Sequence, residues 1–173
     1  MKIIYALFAF FALTMSLQAI ENYAVVNYSE VLQSSKAFVS FQGQIEKIKK
    51  DLETQFGKEN DALKLAETNL AKERSDLSTN EFEKKRTEFE KKVEAFRVNV
   101  QTKQQSFDRI GAEVIKNIED EIKKLIASEV KSKKYEVVYQ AEGLAYYLPA
   151  KDISKEIIRQ LDKSLPTVTV KKP

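Results

Sequence analysis

Between Phe38 and Leu125, apolar side chains recur at steps of three, four or seven residues, and Glu, Lys, Gln and Asp fill the intervening faces. Spacing of this kind, sustained and flanked by charge, predicts amphipathic helices that pair along an apolar seam. No proline precedes Pro149, so nothing in that stretch breaks a long helical hydrogen-bond ladder. The stripe has two halves, Phe38 to Leu77 and Phe82 to Leu125, separated by Leu77-Ser78-Thr79-Asn80-Glu81. Ser78 followed three residues later by Glu81 is a capping box, which starts a new helix and so places a turn. Leu77 with Phe82, Leu70 with Phe89, Leu63 with Phe96, Leu52 with Phe107 and Ile45 with Val114 all sum to 159, as residues facing one another in an antiparallel pair must. Gly57 and Gly111 sit inside the arms, where glycine weakens a helix by ~1 kcal/mol relative to Ala; Gly111 falls opposite Ile48 on the same arithmetic and is read either as a close-packing position or as a bending point.

Aromatic residues divide by region. Phe38, Phe41, Phe56, Phe82, Phe89, Phe96 and Phe107 lie within the helical stretch, whereas Tyr23, Tyr28, Tyr135, Tyr139, Tyr146 and Tyr147 flank it. Tyr23–Asn27, Tyr135–Tyr139 and Leu144–Leu148 are short β-branched and aromatic runs, predicted as strands, with Ala141-Glu142-Gly143 as the turn between the last two. A short helix is expected from Ser29 and a final one through Ile157, Ile158 and Leu161, capped by Asp152 or Ser154. The expected fold class is α+β and mostly helical: a hairpin over residues 36–134, with its tip near 77–81, inserted into a small β-containing head made of 20–35 and 135–165. Residues 166–173 are expected to form a flexible tail with little to pack against. A head of 47 residues is below the ~70–80 that usually sustain a core alone, and three short strands cannot close a sheet. Assembly of several heads is therefore the expected source of stability.

Lys2, the apolar run Ile3–Leu13 and the small exit residue Ala19 read as a cleavable secretory signal over residues 1–19, with too short a core to span a bilayer. No Cys follows it, which excludes a lipid-anchored form. Loss of Lys2 leaves 28 positive against 26 negative groups, a net charge of +2. The chain has no His and no Cys, which removes the usual nucleophile systems, zinc sites and disulfides. Carboxylates are abundant but spread over helix surfaces, so the chain is read as neither an enzyme nor a cofactor or metal binder. Near-neutral charge and export both argue against nucleic acid as a partner.

The opening Tyr23-Ala24-Val25-Val26-Asn27-Tyr28-Ser29-Glu30-Val31-Leu32-Gln33-Ser34-Ser35-Lys36 resembles that of the Skp/OmpH-like periplasmic chaperones. The closing stretch Tyr147 to Leu161, with Asp152-Ile153-Ser154 and Ile157-Ile158, is similar to the last helix of that family. The resemblance implies a soluble periplasmic homotrimer in which strands of three chains build a β-body, with Tyr23, Val25, Val137, Tyr139, Tyr146 and Leu148 at the interface. It further implies three helical tentacles enclosing unfolded outer-membrane β-barrel proteins without ATP, a holdase activity that prevents aggregation before membrane insertion. Phe82 and Phe89 near the tip, with Lys84, Lys85 and Arg86, are the candidate client contacts; the same basic run leaves room for weak lipopolysaccharide or anionic-lipid contact. The arms depart from the strongly basic character of that family: residues 36–77 carry eight positive and eight negative charges, and 78–134 carry fourteen and eleven. The alternative expectation is an exported coiled-coil scaffold or spacer of the cell envelope, which would hold one fixed partner.

Overall fold

The computed structural model describes residues 22–173; the signal reading of residues 1–19 lies outside the described residues. Strand β1 (Tyr23–Val26) leads into α1 (Tyr28–Ser34), then α2 (Lys36–Lys72) and α3 (Thr79–Lys133), followed by β2 (Val137–Gln140) and α4 (Ser154–Ser164). Asn27 caps α1 by accepting from the Glu30 N–H at 2.9 Å. Ser35, fully buried, separates α1 from α2: its extended backbone breaks the helix, and its Oγ accepts from the Phe38 N–H at 3.2 Å. At ~1.5 Å per residue the 37-residue α2 and the 55-residue α3 run roughly 55 and 80 Å.

The turn between the long helices is built as its sequence requires. A 3-10 turn over Glu73–Ser75 ends α2, and the Ser78–Glu81 capping box starts α3 with both reciprocal bonds formed. Those bonds from Ser78 also hold the Glu81 carboxyl below its ordinary value. At its far end α3 closes on Lys134 in the left-handed conformation, φ 57°. Asn22 donates its side-chain amide to the carbonyls of Lys133 and Lys134 at 3.0 and 2.7 Å, satisfying helix-end acceptors that would otherwise lack partners.

β1 and β2 pair in parallel, Tyr23 with Val137 through Val26 with Gln140. Parallel strands need a long crossover, and here the whole hairpin is that crossover. Leu144–Leu148, expected as a third strand, does not pair. Ala141–Gly143 forms a 3-10 turn rather than a tight hairpin turn, so the run leaves the sheet without reversing onto β2. The far edge of β1 is taken instead by a bridge between Val25 and Asp152, with the Ile153 N–H donating to the Val25 carbonyl at 2.9 Å. Neither expected cap of α4 sits at its N-cap position, which Ile153 occupies. Asp152 nevertheless serves the first turn by accepting from the Ser154 N–H at 2.8 Å, and Ser154 Oγ accepts from Asn27 across the head.

The core lies where α1, α4 and β1 meet the root of the hairpin. Val31, Ile118, Ile122, Ile157 and Leu161 are fully buried there. Tyr28 packs against this cluster, where burial, reinforced by Glu119 and Asp120, pushes its hydroxyl up to about 12. The tail differs from expectation as well. Val170 is buried, and residues 166–173 lie along the hairpin root, because Val168 and Val170 find apolar surface there and polar partners hold the backbone between them.

Candidate interaction surfaces

Burial stops part-way up the hairpin. Ile48 and Val114 are buried, but no residue from 49 to 113 is. Two helices alone cover only one side of each other, so the apolar stripe stays half-exposed on both flanks of the seam. One flank forms an open groove of about 800 Å³, lined by Leu63, Phe89, Val93, Phe96 and Val100 with Gln101, Gln104 and Gln105 beside them. The other forms a groove of about 570 Å³ over Ala62, Leu63, Ala66, Ala95 and Phe96. Phe96 is shared by both and meets Phe56 edge-on at 6.3 Å between ring centroids.

That pair does not obey the 159 register, and neither does Gly111. A Cβ on Gly111 would lie 3.9 Å from the ring of Phe41, not against Ile48 as the arithmetic suggests. Both contacts sum to 152, one heptad below 159, so the constant sum describes the phase of the two helices rather than their direct opposites. Nothing lies within 4 Å of a Cβ on Gly57, so packing does not demand glycine there.

The five candidate client residues are placed differently from one another. Phe89 lines the larger groove. Phe82 is half-buried beneath the Arg74 guanidinium, 4.2 Å from the ring centroid. Lys85 pairs with Glu73 at 2.5 Å, and Arg86 with Glu83 at 3.1 Å and Glu90 at 3.3 Å, while Lys84 is exposed. The basic run is therefore largely neutralised by its own neighbours, and such exposed pairs contribute little. The groove residues Leu63, Val93, Phe96 and Val100 were legible only as seam; the polar run Gln101, Gln104 and Gln105 beside them is the sequence signal that the stripe borders an open face.

The candidate interface residues also separate. Val25 is fully buried inside its own chain, which removes it as a contact surface. Tyr23 meets Tyr139 edge-on at 6.0 Å and lies under the Lys151 ammonium. Val137 is half-buried opposite Tyr23. Tyr146 and Leu148, on the unpaired run, are 78% and 51% exposed. Nearby, burial raises the Asp152 carboxyl, but hydrogen bonds from Ser154 and Tyr147, with Lys155 close by, outweigh it and leave the group below its ordinary value. Glu156 is held down to about 2 by the Arg159 and Gln160 side chains.

Among the described residues no group of His, Cys, Asp and Glu could hold a metal ion, and no helix is long and apolar enough to cross a membrane. A model of the protein family described as outer membrane protein (OmpH-like) matches residues 22–161. Among solved structures, a candidate outer membrane chaperone (OmpH-like) from Caulobacter crescentus CB15 superposes with a TM-score of 0.81 at 17% identity, covering 89% of this chain and 91% of that one. No curated protein matches the chain.

Proposed function

The chain belongs to the OmpH-like family, and from that premise we propose that it is an ATP-independent holdase for unfolded outer-membrane β-barrel proteins, exported to the periplasm and acting as a homotrimer. The observation that carries this reading is the unburied stretch from 49 to 113, with its paired apolar grooves. An unfolded barrel strand exposes alternating apolar side chains and unpaired backbone, which aggregate unless covered. Grooves open on both flanks offer many weak contacts to such a chain. Several hairpins around one cavity multiply those contacts by effective concentration, and each stays weak enough to release without nucleotide. Near-neutral arms put the weight of capture on apolar contact rather than charge. The anionic-lipid contact is not carried forward, since Lys85 and Arg86 already have acidic partners.

Trimerisation would be carried by Tyr146 and Leu148, the exposed apolar pair beside a two-stranded sheet, with Tyr23, Val137 and Tyr139 flanking them. Light scattering of Leu148→Asp should report a smaller particle than the parent, and an unchanged mass would count against this face. The function itself is tested by diluting a urea-unfolded barrel protein into rising concentrations of the purified chain. Turbidity should vanish near one trimer per client; a trace that never changes would refute the reading.

A further inference from the structure

Beyond α4 the chain runs back along the hairpin root, and Thr167-Val168-Thr169-Val170 alternates polar and apolar residues as an extended strand does. Val170 is buried and Val168 packs against the core cluster. One side chain reads the backbone between them. Gln44 Nε2 donates to the Val168 carbonyl at 2.7 Å, and Gln44 Oε1 accepts from the Val170 N–H at 3.0 Å. A carbonyl and the N–H two residues on share one edge of an extended chain, and a parallel neighbour strand would bond both. The Gln44 carboxamide takes the place of that neighbour. Ser40 holds the arrangement in register: its Oγ lies 3.0 Å from Gln44 Nε2 and 2.8 Å from Thr167 Oγ1. Further along, Lys172 pairs with Asp51 at 2.8 Å and Lys103 of α3 donates to the Pro173 carbonyl at 2.8 Å. The family match ends at residue 161, before this segment begins.

The two bonds to Gln44 engage backbone alone and so carry no sequence preference. The tail's side chains add apolar contact at alternate positions, as when a peptide adds to a strand edge, and two exposed polar contacts, Thr167 with Ser40 and Lys172 with Asp51. Unfolded barrel strands meet the same description. We infer that the notch formed by Gln44 and Ser40 at the hairpin root is a docking site for extended, alternating polypeptide, held in the free protein by the chain's own tail. The inference deepens the chaperone reading and rests on it for the identity of the competing ligand. An occupant tethered to its site acts at an effective concentration near the millimolar range. A client segment gains the notch only in the fraction of molecules whose tail has left, and its apparent affinity falls by that fraction.

Two substitutions in the full chain separate tail from notch. Val170→Asp removes the tail's buried anchor and leaves Gln44; Gln44→Ala removes both backbone bonds. The probe is a fluorescent peptide of the sequence Leu165–Pro173, followed by anisotropy, with helicity checked by circular dichroism. The peptide should bind Val170→Asp about tenfold more tightly than the parent, and Gln44→Ala no better than the parent. A chain cut after Leu165 opens the notch without a buried charge, and the same gain is required of it. Equal binding by all the proteins, or tightest binding by Gln44→Ala, overturns the inference. A urea-diluted barrel protein should also bind Val170→Asp about threefold to tenfold more tightly. A peptide gain with no barrel binding by any protein would leave the notch standing and sink the chaperone reading; barrel protein held equally by all, with no peptide gain, would sink the notch alone.

Discussion

The root and the upper half of the hairpin use one kind of sequence to opposite ends. Both carry an apolar stripe at helical spacing, but the stripe is completed only at the root, where α1 and α4 pack against α3 and Val168 and Val170 of the tail join the cluster that buries Ile118 and Ile122. Above Ile48 and Val114 only the tail's last residues reach the pair, at Asp51 and Lys103, and beyond them the same residue types remain half-exposed in grooves. Burial by third elements, not composition, decides which part holds the molecule together and which part is left open.

The contrast predicts unequal costs. Ile118→Ala removes a fully buried side chain and should cost about 2–5 kcal/mol, read as a lower denaturation midpoint. Leu63→Ala, on a half-buried site, should cost about 1 kcal/mol yet weaken capture of an unfolded barrel protein. Equal stability losses at the two positions would erase the distinction. Ser78→Ala should cost about 1 kcal/mol, confined to the first turn of α3 and visible as faster amide exchange just after residue 79.

Acid should loosen the head by a smaller amount. Asp152 and Glu156 have folded values below their unfolded ones, so their contribution is complete above about pH 4.5 and fades as pH falls below the ordinary carboxylate range, for Glu156 toward about 2. Thermal melts should therefore fall on acidification through that window, and a flat profile would show that these bonds do not hold in solution. Alkali acts oppositely through Tyr28. Its raised value makes the stabilisation complete below about pH 10 and lost as pH climbs toward about 12.

Periodicity and capping made the hairpin legible, because a 3/4 stripe and the Ser78–Glu81 box are local signals with one structural meaning. The head was less so. Leu144–Leu148 has strand composition, but strand pairing depends on a neighbour, and residues after Pro149 reached β1 first. Val25 looked like an interface residue because burial within a chain and burial between chains favour the same side chains. The tail was misjudged because its fit depends on Gln44, a single glutamine 124 and 126 residues away from the backbone groups it bonds. Groove and seam share one stripe, and only the packing of third elements tells them apart.

Amide hydrogen exchange along the hairpin, with and without a stoichiometric unfolded barrel protein, tests the division between root and upper half most directly. In the free protein, amides between 49 and 113 should exchange faster than those around Ile118 and Ile157, and the barrel protein should slow the upper set. Uniform protection of the free hairpin, or slowing confined to the root, would contradict the account.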